Sequence, residues 1–151
     1  MVRHKNRYIV IEINENEAGP SSYLKLKEPS LYACILKQVQ KLHGDFGEAA
    51  IRAGFVSKYL NEHTRIGIIR SRRGPHKFVT SVIPLIREIE DKRVFINILY
   101  VGATIRKSFH FLRNYQQKKF DEYCVSLKSE EDRNELKEVM LNFESILTRI
   151  G

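Results

Sequence analysis

Cysteine is scarce in this chain: Cys34 and Cys124 are the only two in 151 residues, and their spacing matches no motif. That excludes a disulfide framework or a zinc ribbon and points to a reducing, intracellular compartment. Long apolar runs are also missing. None approaches the ~20 residues that cross a bilayer, so no membrane partner is expected. The basic start, Met1-Val-Arg-His-Lys-Asn-Arg7, is followed only by Tyr8 to Ile13, which Glu12 interrupts, with no small-residue cleavage site. A signal peptide is therefore not expected. Internal repeats and low-complexity tracts are absent.

The usual signatures of an active site are lacking too. None of His4, His43, His63, His76 and His110 lies four residues from another with a glutamate between, and no cysteine pair supports them. There is no P-loop and no glycine-rich dinucleotide fingerprint. Cys34 falls close to the apolar stripe of a predicted helix, which makes it an inert buried thiol rather than a nucleophile. Glu88, Glu90 and Asp91 read as solvated carboxylates at a helix end.

Acidic residues are missing from two stretches, between Glu62 and Glu88 and between Asp91 and Asp121. Residues 1–119 hold 22 Lys and Arg against 10 Asp and Glu; residues 120–151 hold 4 against 8. A net charge of +8 is thus a +12 body with a −4 tail. A compact body of this kind suits a polyanionic partner, and nucleic acid is the leading candidate.

The pattern along the chain supplies the fold. Arg7 to Ile13 alternates, with Ile9, Ile11 and Ile13 on one face, and predicts a strand. Asn14 to Lys27, with Gly19-Pro-Ser-Ser22, predicts a loop. Leu31, Ile35, Val39 and Leu42 follow Pro29 at helical spacing, and Gly44 is placed to end the run. A short helical turn is expected over Asp45–Ala53. Phe55 to Asn61 and Arg65 to Ser71 predict a hairpin around Asn61-Glu-His-Thr64. A second helix is expected from Pro75 to Ile89, kinked at Pro84, and a last strand from Val94 to Val101.

Thr104 then caps a third helix running to about Lys119, with Ile105, Phe109, Leu112 and Tyr115 inward. Ser129 opens a fourth in the acidic tail. The order is that of an α+β, split βαβ domain, ferredoxin-like or RRM-like: a four-stranded antiparallel sheet, its first and third strands central, plus C-terminal helices. Two parts are expected, an RRM-like RNA-binding domain over 1–119 and an acidic helical extension over 120–151.

Three basic groups then stand out. Arg3, Lys5 and Arg7 alternate into the first strand. Arg70, Arg72, Arg73 and Lys77 surround the exit of the third. Arg106 and Lys107 open the third helix, where the dipole favours anions, so a bound phosphate would explain them and would also meet Thr104. Such contacts give affinity and position rather than sequence readout. Arg65-Ile-Gly-Ile-Ile-Arg70 lacks the stacking aromatics of a standard RNA-recognition strand, so backbone or shape recognition is expected over splayed bases. Residue chemistry alone leaves two alternatives open: a ribosomal or other structural RNA-binding protein, and a ferredoxin-like enzyme or ligand domain holding a phosphorylated metabolite.

Met1-Val-Arg-His-Lys-Asn-Arg-Tyr8, Leu42-His-Gly-Asp-Phe-Gly47, Lys58-Tyr-Leu-Asn61, Ile68-Ile-Arg70 and Tyr100-Val-Gly-Ala-Thr-Ile-Arg106 occur in that order. Together they resemble the small basic protein subunit of archaeal and eukaryotic ribonuclease P, shared in eukaryotes with ribonuclease MRP. The resemblance spans about Met1 to Gln117. One departure is Ala103, where the family usually has a second glycine. The resemblance implies an RRM-like fold and a non-catalytic role in 5′-leader removal from precursor tRNA, and in rRNA processing for MRP. It implies as partners the ribonuclease P/MRP RNA, a TIM-barrel-like protein subunit and, within the complex, precursor tRNA. It also implies no cofactor on the protein, Mg2+ on the RNA subunit, and a nuclear or nucleolar location if the source is eukaryotic.

Overall fold

Alternating apolar residues need a sheet to bury them, and the computed structural model supplies one. It describes residues 3–15, 26–126, 131, 134, 135 and 138. Among these lie strands β1 (Asn6–Glu15), β2 (Val56–Asn61), β3 (Ile66–Arg72), β4 (Glu88–Ile89) and β5 (Lys92–Gly102). The helices are α1 (Glu28–Arg52), α2 (His76–Val82) and α3 (Ile105–Ser126), with a 3₁₀ turn over Ile83–Leu85. The sheet is antiparallel, in the order β2-β3-β1-β5-β4. The ferredoxin-like split βαβ arrangement holds, with β1 and β3 central as expected. The sheet has five strands, however, not four.

The extra strand comes from the end of the expected second helix. Pro84 has no N–H to continue the helical ladder, so α2 stops at Val82 and the chain tightens into the 3₁₀ turn. Ile86 is extended, with ψ 122. Glu90 and Asp91 then take left-handed backbone angles, φ 49 and 64. Two such residues in succession make a turn whose twist suits a hairpin, and β4 pairs with the start of β5, Glu88 opposite Arg93. Ile86 and Ile89 fit a helical stripe and a buried strand equally well, which is why spacing alone misassigned them.

Two compact units divide the chain, Met1–Ser108 and Phe109–Gly151. In the first, Ile9, Ile11 and Ile13 of β1 and Ile69 of β3 form a core with Leu31, Ile35 and Val39 of α1 and Val79 and Val82 of α2. Ile83, Ile86, Ile89, Val94 and Ile96 extend it. Each fully buried isoleucine contributes about 1.5–3 kcal/mol. Val10, Ile66 and Ile68 are buried as well, so the central strands are apolar on both faces. Gly44 breaks the backbone of α1 with φ 71, but helix resumes, joining the expected helix and short turn into one element. That break leaves Phe46 of the Leu42–Gly47 motif 77% exposed, beside Phe78. The β2–β3 turn is as expected: the Asn61 side chain accepts from the N–H groups of His63 and Thr64 at 2.9 and 3.2 Å.

In the second unit, α3 continues past Lys119 to Ser126. Phe109, Leu112 and Gln116 are buried along it and Tyr115 is half-buried; Ile105, half-buried too, belongs to the first unit. Phe111 stacks on Tyr115, and the Lys119 ammonium lies 4.9 Å from the Tyr115 ring centre. The expected loop falls mostly on residues 16–25, outside the described residues. So does the expected helix from Ser129, apart from Glu131, Asn134, Glu135 and Glu138, which are helical.

Candidate nucleic-acid interface

Pairing within the sheet decides which cations meet. β1 lies between β3 and β5, so its start runs beside the exit of β3 and the turn leaving β5. Tyr8 is opposite Arg70 on one side and Gly102 on the other. Just before β1, the Lys5 carbonyl accepts from the Arg73 N–H at 2.9 Å. A concavity of about 750 Å³ opens there, lined by Arg3, His4, Lys5, Asn6, Arg7, Tyr8, Arg73 and the turn Ala103–Arg106. No carboxylate lines it.

Six of the ten sequence-predicted residues therefore share one depression: Arg3, Lys5, Arg7, Arg73, Thr104 and Arg106. Lys77 sits just outside, exposed in the first turn of α2. It belongs to the same electrostatic cluster through His76. Burial, followed by the Arg7, Lys77 and Arg73 charges, holds the His76 imidazole below its ordinary pKa; a backbone hydrogen bond at Arg72 opposes this. The ring's Nδ1 accepts from the Gly74 N–H at 3.0 Å, a role open only to the neutral ring.

The other three do not line the concavity. Arg70 and Arg72 are half-buried in β3 and anchored at the Gly54 turn. The Arg70 guanidinium donates to the Gly54 carbonyl at 3.4 Å. A Cβ at Gly54, where φ is +81, would lie 3.2 Å from Cγ of Arg72. Lys107 is exposed and does not line the depression. Its backbone N–H donates to the Thr104 hydroxyl oxygen at 3.2 Å, the capping bond expected of Thr104.

Glycine at 102 serves room rather than conformation. It keeps an ordinary φ, but an added Cβ would meet the Tyr100 ring at 2.7 Å and the Ser108 hydroxyl at 2.8 Å. Ala103 carries no positive φ either, so the turn forms without a second glycine. Reasoning from sequence missed His4, Asn6 and His76 as neighbours of the site. Tyr8, named only within the first strand and its motif, also lines the site. Tyr8 alternates with Arg7 and Ile9, which shows that it lies on the opposite face but not what it faces.

Among the described residues, no three His, Cys, Asp or Glu side chains converge on a metal position. Cys34 is half-buried, and its thiol lies 3.7 Å from the Glu88 carbonyl. Burial pushes its pKa up, opposed by Lys37, which suits an unreactive thiol. No described helix is long and apolar enough to cross a membrane.

Fold and site together define a split βαβ domain that gathers cations at one end of its sheet. The sequence profile of the Rpp14/Pop5 family matches residues 7–113, and the chain belongs to that family. Among curated relatives, the Danio rerio "Ribonuclease P/MRP protein subunit POP5" is 32% identical over 148 residues, covering 94% of this chain and 86% of that protein. The Homo sapiens protein of the same name is 35% identical over 122 residues, covering 78% and 74%. An archaeal relative, "Ribonuclease P protein component 2" of Methanocaldococcus jannaschii, is 33% identical over 107 residues, covering 71% and 72%.

Proposed function

We propose that this chain is a non-catalytic RNA-binding protein subunit of the ribonuclease P/MRP ribonucleoprotein. In this role it supports the RNA that removes the 5′ leader from precursor tRNA and, in MRP, processes rRNA. The observation that carries the reading is the concavity at the start of β1, where Arg3, Lys5, Arg7, Arg73 and Arg106 converge without a carboxylate. Cations gathered in this way need an anion, and an RNA backbone offers several at once. Membership of the Rpp14/Pop5 family supports the assignment to this complex. Arg70, Arg72, Lys77 and Lys107 extend the charged surface on which further phosphates would rest.

Cleavage chemistry belongs to the RNA subunit in this reading, and Mg2+ would be held there rather than on the protein. Leu42 and Phe46, both exposed beside the Gly44 break, would take the barrel-like protein partner that the family resemblance implies. In a eukaryote the assembly would be nuclear and nucleolar.

Affinity capture of the tagged full chain, with sequencing of bound RNA and identification of bound proteins, tests this. A ribonuclease P- or MRP-type RNA recovered with a barrel-like protein is the expected result. Recovery of rRNA within whole ribosomal subunits instead would overturn it.

A further inference from the structure

Phosphate contacts alone leave the aromatic ring of the concavity without a purpose. Tyr8 lines the depression, half-buried, at a rim that five cations also line, Arg7 from the opposite face of β1. Its row on the sheet runs Val56, Arg70, Tyr8, Gly102, so a cation and a side-chain-free position flank it. Gly102 puts no side chain of its own beside Tyr8, and the Tyr100 ring lies over it. An aromatic surface set among cations is how proteins hold unpaired nucleotides: the backbone meets charge and the base meets a ring. Duplex recognition works differently, by spreading contacts along a surface that spans two minor grooves.

Size agrees with the first mode. About 750 Å³ lies within the ~300–1,000 Å³ of small-ligand sites. The walls are braced in advance, since Arg73 is tied to Lys5 through the backbone and Thr104 caps its helix. We propose that this concavity holds one unpaired nucleotide of the RNA, its base lying on the Tyr8 ring and its flanking phosphates on Arg3, Arg73 and Arg106. The inference rests on the RNA-binding reading above. It also revises the expectation of backbone or shape recognition, because the aromatic is supplied by β1 and not by β3.

The test uses the full chain and two RNA hairpins that differ only in a single bulged nucleotide, with Kd measured at fixed salt. The wild type should favour the bulged hairpin. Tyr8→Ala should weaken binding to it by roughly 5- to 140-fold, the range spanned by base–aromatic stacking. The fully paired hairpin should be little affected, and Tyr8→Phe should retain the preference. A 2-aminopurine at the bulge should change its fluorescence on binding wild-type protein, a readout that needs no variant to fold.

Equal losses on both hairpins, or no fluorescence change, would overturn the nucleotide site. The double variant Arg3→Gln/Arg73→Gln separates this from the parent reading. If it flattens the salt dependence on both hairpins while Tyr8→Ala weakens binding to both equally, only the nucleotide site falls. If the double variant also leaves the salt dependence unchanged, the concavity is not an RNA surface and both fall.

Discussion

Strand β5 carries a depression at each end, and the two are built on opposite principles. Where β5 begins, about 580 Å³ is lined by Glu88, Glu90 and Asp91 together with Lys37, Ser30 and Cys34. Charges of both signs meet there, and the Ser30 hydroxyl donates to the Glu90 carboxylate. Where β5 ends, five cations line the wall with no carboxylate among them. The first end sets Lys37 beside three carboxylates, one of which accepts from a hydroxyl of the fold itself. The second gathers like charges, which repel one another and gain stability only from an anion brought from outside. That asymmetry distinguishes a recognition surface from an ordinary polar rim.

The most forceful way to break the comparison is to neutralise each end in turn. Arg3→Gln/Arg73→Gln/Arg106→Gln should weaken RNA binding sharply and reduce the log–log salt slope by about 2–3 units, at ~0.7–0.9 for each phosphate left without its cation. Glu88→Gln/Glu90→Gln/Asp91→Asn at the other end should leave the slope unchanged. Titrations of RNA binding against salt check both, and equal slopes in the two triple variants would erase the distinction between the two ends.

A smaller effect tests how the basic end is braced. Thr104→Ala removes the hydroxyl that caps α3 and should cost about 1 kcal/mol of stability, within the ~0.5–2 range of such caps, with Thr104→Ser largely restoring it. Chemical denaturation measures this.

The smallest effect concerns His76. Its pKa is lowered by burial first and then by Arg7, Lys77 and Arg73, so the unfolded chain binds the proton before the folded one does. Stability therefore falls as pH drops below the ordinary value of 6.5 toward the folded-state value. Arg73→Gln should move the His76 titration upward in an NMR experiment. An unmoved midpoint would show that the cations near His76 do not act as one cluster.

Much of the fold was legible in advance because periodicity reports burial. The alternation in β1 and the Asn61–Thr64 turn are local signals, and the fold kept them. The short β4 escaped because Ile86 and Ile89 satisfy two periods at once, and because Glu90 and Asp91 adopt a turn usually signalled by Asn-Gly. Gly44 was readable as a break but not as a bend inside a longer helix, since only packing against α2 decides whether helix resumes.

The five motifs between Met1 and Gln117 pointed to a family whose profile matches residues 7–113. The site was legible as a list of cations but not as a grouping. Arg70 and Arg72 precede Arg73 by three residues and one, yet both lie against the Gly54 turn and neither lines the concavity.

Composition, charge distribution and apolar spacing by themselves determined a split βαβ domain with a basic body, because those properties depend on neighbours along the chain. Which cations share a surface was decided only by tertiary structure. Arg7, Arg73 and Arg106 are far apart in sequence, and they converge because β1 pairs with β3 on one side and β5 on the other. The same pairing sets Tyr8 at the same rim, turning a scattered charge pattern into a depression of the size and chemistry to hold a nucleotide.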